Sequence, residues 1–289
     1  MSLVTTNDIK NLYLPPKGSH KGQNGRLLII GGSHLFHSAS LWALKVASRI
    51  VDLVHYSSVV ENNELVMRLK EEFRDGIVVS RSDIESYIDE DDCILIGPGM
   101  TRDSETEELT NRLLKKYPHK QWVIDAGALQ MMDISLIPKN AILTPHHGEF
   151  EDLWMKAHSL QRTVNSREIE LEDRINFFAQ HYQCSVLVKG EVDVVCNGGE
   201  SSGRICVPGE CAEIKGGNEG MTKGGTGDVL AGLIAALACK NEPVLATIAG
   251  SFINKKSGDS LYKKVGPFFN ASDLCDEIPK VMKKLFLAK

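Results

Sequence analysis

The sequence predicts an α/β fold built on a mostly parallel central sheet with helices on both faces. Three observations lead there. Short β-rich runs alternate with longer helix-like segments along the chain, the order that crossover connections between parallel strands impose. The runs are apolar throughout instead of alternating, so each strand is expected to be covered on both sides. Several end in glycine or a small polar group, the chemistry of an open sheet that binds ligands beyond the carboxyl ends of its strands.

The first run is RLLII (26–30); it ends in Gly31-Gly32-Ser33, and Ser38 to Val54 then reads as a helix. CILIG (93–97) closes on Gly97-Pro98-Gly99 and precedes a helical stretch from Asp103 to Lys116. QWVID (121–125) leads into Asp125-Ala126-Gly127, and AILT (141–144) into Thr144-Pro145-His146. After a helix over 166–182 comes SVLVK (185–189), followed by Gly190. Between Val188 and Glu213 the pattern changes to short antiparallel strands joined by the turn Asn197-Gly198-Gly199-Glu200. Gly227 to Cys239 and Ser272 to Leu287 are helical, the second opening with Asn270-Ala271-Ser272-Asp273 as a capping region. The strand ends are expected to converge on one crevice. No repeat, low-complexity tract or Pro/Gly/Ser linker divides the chain, so residues 1–289 read as a single domain.

At 289 residues and 42% hydrophobic, the chain can bury a large core. Its longest apolar stretch, Val229 to Cys239, falls short of the ~18 residues a membrane span needs, and the N-terminus lacks a basic start followed by an apolar core. A cytoplasmic protein is expected, with no membrane partner. A net charge of −5 gives no general attraction to nucleic acid, so any phosphate site must be local. Seven cysteines without a CxxC pair suit reduced thiols buried as small apolar residues.

Such a local site is offered by the glycine-rich stretch from Gly216 to Gly227, which feeds an apolar helix. Unpaired N–H groups and the helix dipole attract anions there, and glycines at 224, 225 and 227 leave no Cβ in a phosphate's way. The stretch lacks the GK[ST] of a Walker A loop, and neither Gly31-Gly32 nor Gly97-Pro98-Gly99 extends to GxGxxG. An ordinary dinucleotide site is therefore disfavoured.

Gly224-Gly225-Thr226-Gly227-Asp228 before an apolar helix resembles the anion-hole and catalytic-aspartate motif of ribokinase-like enzymes. Asn218-Glu219-Gly220-Met221 narrows the resemblance to NAD(P)H-hydrate dehydratases. So do Ile96-Gly97-Pro98-Gly99, Thr144-Pro145-His146 with Gly148-Glu149-Phe150, Lys189-Gly190 followed by Asp193, and Ala271-Ser272-Asp273-Leu274, all in the family's order. The chain departs from the family at Gly127, where Asp is usual, at Met100-Thr101, at His147, and in the loop Phe36-His37-Ser38-Ala39.

The resemblance implies a ribokinase-like three-layer α/β/α sandwich. It implies ADP or ATP as co-substrate, Mg²⁺ carried with it, and NADH hydrate and NADPH hydrate as substrates. Nucleotide would be bound by Lys189, Gly190, Glu191, Val192, Asp193, Asn218, Gly224, Gly225, Thr226 and Gly227. Ala39, Gly99, His146 and Asp228 would contact the hydrate, with Asp228 as catalytic base. A homo-oligomer and a separate NAD(P)H-hydrate epimerase partner are further expectations. Kinases of hydroxymethylpyrimidine, thiazole or sugar alcohols share the same loop and aspartate, and a nucleotide sensor without catalysis is a reading from another class.

Plainer roles compete at single residues. Adjacent His146 and His147 on a strand would point to opposite faces with no third ligand nearby in sequence, so no metal site is expected. Asp89-Glu90-Asp91-Asp92 reads as a solvated turn, and Trp42, Trp122 and Trp154 as core or interface residues.

Overall fold

The computed structural model describes residues 1–69, 75–160, 169–201 and 206–287. Its strands are β1 (Ser2–Leu3), β2 (Arg26–Ile30), β3 (Leu53–Ser57), β4 (Ile77–Val78), β5 (Cys93–Ile96), β6 (Gln121–Ile124), β7 (Ile142–Leu143), β8 (Ser185–Val188), β9 (Asp193–Asn197) and β10 (Glu210–Ile214). They form one sheet in the order β1-β10-β9-β8-β7-β6-β5-β2-β3-β4. Only the pairs made by β9 are antiparallel; β2 through β8 run parallel, as their unbroken apolar runs require.

The helices are α1 (Ser38–Ala47), α2 (Val60–Leu69), α3 (Ile84–Glu90), α4 (Ser104–Lys116), α5 (Ala126–Met131), α6 (His147–Leu160), α7 (Leu171–Tyr182), α8 (Thr226–Ala238), α9 (Pro243–Val265) and α10 (Ala271–Phe286). Alternate residues of each central strand face opposite layers. Leu27, Ile29, Leu95 and Val123 pack with residues of α1, α8, α9 and α10, whereas Leu28, Ile30, Ile94 and Ile124 pack with residues of α3 to α7. Among the described residues no helix is long and apolar enough to cross a membrane.

The topology reverses at β2, whose neighbours are β5 on one side and β3 on the other. Connections leave such a point in opposite directions and open a crevice beyond the strand ends. Gly32 N–H donates to Pro98 O at 2.7 Å across it.

Several expectations need correction. The helix expected over 38–54 stops at Ala47, because Leu53–Ser57 pairs in register with β2 as a strand. The helix expected over 166–182 begins at Leu171; residues 166–168 lie outside the described residues. The expected turn at 197–200 does not join the antiparallel pair directly, since β10 starts only at Glu210. Asp91 is no solvated turn residue but buried, with its carboxylate 2.8 and 2.9 Å from His55 Nδ1. Cys196 and Cys211 face each other across β9 and β10 with Cα atoms 4.1 Å apart and form a disulfide, against the expectation of reduced thiols throughout. Burial pushes the Cys206 and Cys275 thiols up to about 12, so these two stay protonated.

Candidate active site

Lys189 follows β8, bridges His146 in parallel register, and donates its N–H to Pro145 O at 2.9 Å. Its ammonium reaches Asp125 Oδ1, just beyond β6, at 2.9 Å, and Thr144 Oγ1 donates to that same oxygen at 2.8 Å. Burial alone would lower the Lys189 pKa; the carboxylates of Asp125, Glu149 and Asp228 outweigh it and raise the value. The lysine is therefore a permanent cation beside three carboxylates.

His146 is not a strand partner of His147, because His147 opens α6. His146 caps that helix instead. Glu149 N–H donates to His146 Nδ1 at 3.1 Å while His146 N–H donates to Glu149 Oε2 at 2.8 Å, a reciprocal capping box with histidine in the usual serine place. An accepting Nδ1 puts the ring proton on Nε2, which stands 3.6 Å from Glu149 Oε2 on a half-exposed ring. Among the described residues no group of three or more His, Cys, Asp or Glu is placed to hold a metal ion.

The glycine loop turns into α8 through Gly225, at φ 95°. A Cβ there would lie 2.4 Å from the Trp42 ring, so packing and a left-handed backbone both require this glycine. Gly224 differs: a Cβ would meet nothing within 4 Å, and at Gly227 it would lie 3.6 Å from Lys189 Nζ. In the first turn of α8 the Thr226 N–H donates to Lys223 O at 3.4 Å, and the Gly227 and Asp228 N–H groups precede the first helical acceptor at the positive end of the dipole.

Asp228 is the third residue of α8. Burial, then the charge of Asp125, push its carboxyl up to about 7, against the lowering pull of Lys189. One turn further along the helix, Gly232 packs so closely on Ala43 of α1 that a Cβ would sit 2.6 Å from the Ala43 Cα. Ala39 stands one turn before Ala43 on α1. Gly99, at φ 74°, abuts Ala39: a Cβ on Gly99 would lie 2.9 Å from the Ala39 Cβ.

A cavity of about 1110 Å³ opens beside this centre, lined among others by His146, Lys189, Glu191, Asn218, Gly227 and Lys255. It is slightly larger than the usual small-molecule and cofactor site of about 300–1,000 Å³. Gly190, Asp193 and Thr226 also line it, whereas Val192, Gly224 and Gly225 do not. The Asp193 carboxylate is occupied within the fold, accepting from Gly190 N–H at 2.9 Å and Ser251 Oγ at 2.7 Å. Ala39, Gly99 and Asp228 are not among the residues that line the cavity.

Sequence patterns missed Asn254 and Lys255, which enter the cavity wall from α9. A signal existed. Ser251, Asn254, Lys255 and Gly258 put small and polar residues at helical spacing on a buried face, where aliphatic side chains are the norm. Gly127 also finds its reason, since a Cβ there would stand 2.2 Å from Met100 O. The Met100 carbonyl occupies the space that a side chain at 127 would need.

Residues 27–280 match the family model described as NAD(P)H-hydrate dehydratase. The bifunctional NAD(P)H-hydrate repair enzyme of Methanocaldococcus jannaschii is 34% identical over 97% of the chain, which spans about half, 52%, of that relative's length. The ADP-dependent (S)-NAD(P)H-hydrate dehydratase of Nitrosopumilus maritimus is 32% identical, with 97% of this chain and 96% of that one covered. Among solved structures, the ADP/ATP-dependent NAD(P)H-hydrate dehydratase of Bacillus subtilis, co-crystallized with ATP/Mg²⁺, superimposes with a TM-score of 0.78 at 22% identity over 98% of each chain. That likeness, with the layers described above, makes the fold a ribokinase-like three-layer α/β/α sandwich.

Proposed function

The chain belongs to the NAD(P)H-hydrate dehydratase family, and on that premise we propose that it converts hydrated NADH or NADPH back to the dihydronicotinamide, with ADP or ATP as phosphoryl donor. The observation that carries this reading is the Asp228 carboxyl, raised to about 7 at the open end of α8 and flanked by Lys189 and the glycine loop. A base poised near neutrality beside the N–H groups of a helix start is what phosphoryl transfer to a weakly acidic hydroxyl needs.

In this mechanism Asp228 accepts the proton of the ring hydroxyl as that oxygen bonds to the terminal phosphorus. The bridging P–O bond breaks, and the nucleotide departs one phosphate shorter. Lys189 and the first-turn N–H groups of α8 balance the charge on the transferring phosphoryl group. Phosphate is a far better leaving group than hydroxide: its C–O bond breaks as the ring nitrogen lone pair enters, and loss of a proton from the adjacent ring carbon restores the double bond. His146 Nε2–H, Ala39 and Gly99 would orient the ring. Asn218, Lys189 to Asp193 and the 224–227 loop would cradle the nucleotide.

Asp125 is committed to Lys189 and Thr144, and Glu149 to Gln130 and the His146 backbone. These carboxylates make no metal cage. Mg²⁺ would enter as the companion of the nucleotide, held by its phosphate oxygens and water with no protein carboxylate required, and would neutralise phosphate charge. The continuous sheet supports treating residues 1–289 as one domain. A cytoplasmic homo-oligomer served by a separate epimerase completes the reading; the bifunctional relative supports a link between two repair activities.

The test is direct: incubate hydrated NADH with the protein and ADP and follow dihydronicotinamide absorbance. Recovery of absorbance with release of phosphate supports the reading. A stable phosphorylated product, or nucleotide binding without turnover, would replace it with a kinase or a sensor.

A further inference from the structure

Lys255 lies outside every motif that marks the site, and its side chain is only 7% exposed. Four oxygens from two separate segments surround its Nζ: Gly190 O and Glu191 O at 3.0 Å, Gly216 O at 3.3 Å and Asp193 Oδ1 at 3.2 Å. An ammonium has three protons, so four acceptors must share them. Three carbonyls joined by one carboxylate oxygen around a single positive charge resemble the oxygen shell of a monovalent cation more than a simple ion pair.

In a trans peptide the carbonyl and the next N–H point in opposite directions. Carbonyls drawn toward Lys255 therefore turn the N–H groups of Glu191, Val192 and Gly217 away from it. Gly190, Glu191, Gly216 and Gly217 all line the cavity. The charge that pins their carbonyls also fixes how far the 190–193 turn stands from the end of β10.

We propose that Lys255 is a positioning residue for the nucleotide, an internal ammonium that serves as a built-in monovalent cation and sets the shape of the nucleotide cradle. This rests on the nucleotide reading above. Removing the ammonium leaves the carbonyls without their counter-charge, so the turn relaxes and affinity falls while the chemistry at Asp228 is left in place.

Two variants separate this role from simple packing. Lys255→Met keeps the stem and removes the charge; Lys255→Ala also leaves room for an ion. ADP affinity would be measured by calorimetry, and kcat and KM for ADP by the dehydration assay, in buffers containing choline, potassium or ammonium as the only monovalent cation. Folding is checked by thermal unfolding. In choline both variants are expected to bind ADP roughly 10- to 100-fold more weakly, the size of lost charge-assisted hydrogen bonds, with KM rising and saturated kcat little changed. Potassium or ammonium should restore Lys255→Ala and not Lys255→Met, and the parent should be indifferent. ADP affinity within about twofold of the parent in either folded variant, or a loss in Lys255→Ala that no cation repairs, overturns the proposal. A parent that binds no adenine nucleotide would overturn the functional reading along with it.

Discussion

Asp228 is pulled in two directions: burial and the nearby Asp125 disfavour its ionisation, Lys189 favours it, and the balance lies at about 7. Catalysis by its ionised form makes kcat/KM rise with pH and level off above an apparent pKa near that value. A profile flat from pH 5 to 8 would assign the base elsewhere. The same shift carries a stability cost with a definite sign. Between the ordinary 3.8 and about 7 the folded state holds a proton that the unfolded state has lost, so stability falls as pH rises through that window. Asp228→Asn should therefore be more stable than the parent at pH 8, on the order of 1–2 kcal/mol after discounting partial solvent screening, with the gain vanishing near pH 4. Denaturant melts at the two pH values check this. The sequence made Asp228 legible through its place after the glycines. It could not reveal the Lys189–Asp125 pair, 64 residues apart, since strand order decides which ends meet.

The glycine loop separates at the scale of the element into positions that pack and positions that face open space. Gly225→Ala forces a Cβ into Trp42 on a left-handed backbone and should cost about 2 kcal/mol or more of stability. Gly224→Ala has open space around it, so it should fold like the parent and weaken nucleotide binding instead. Thermal unfolding and ADP titration of the two variants give opposite orders under this account; an equal loss of stability would erase the distinction. At α10, Asn270 accepts from the N–H groups of Ser272 and Asp273 while Asp273 accepts from Asn270, the box that the sequence announced. Asn270→Ala should cost about 1 kcal/mol in a denaturant melt. Elements with local signals, a capping residue or an unbroken apolar run, were readable. Leu53–Ser57 was not, because its pairing with β2 outweighs a helix-like context, and neither was the Cys196–Cys211 link, which depends on cross-strand register.

For the molecule as a whole, alternation of runs and helices was enough to place β2 and β5 to β8 and to bring these five strand ends to one edge. It did not show that α9 closes one side of the cavity beside them, because that part of the wall comes from a helix that carries no motif. A nucleotide that fills the cavity should stabilise the folded state, by about 2.7 kcal/mol at 100 times its Kd, and raise Tm accordingly. NAD⁺ should do less. The place of Asp228 outside the cavity lining also predicts that rate and nucleotide affinity respond to different residues. Its most direct test is Asp228→Asn, assayed on one folded preparation for dehydration of hydrated NADH and for ADP binding. The account predicts turnover lower by roughly 10² to 10⁴ with ADP affinity kept, because the amide preserves size and the loop N–H groups but cannot take the hydroxyl proton. Turnover within about threefold of the parent would reduce Asp228 to a residue of the helix start and contradict the mechanism.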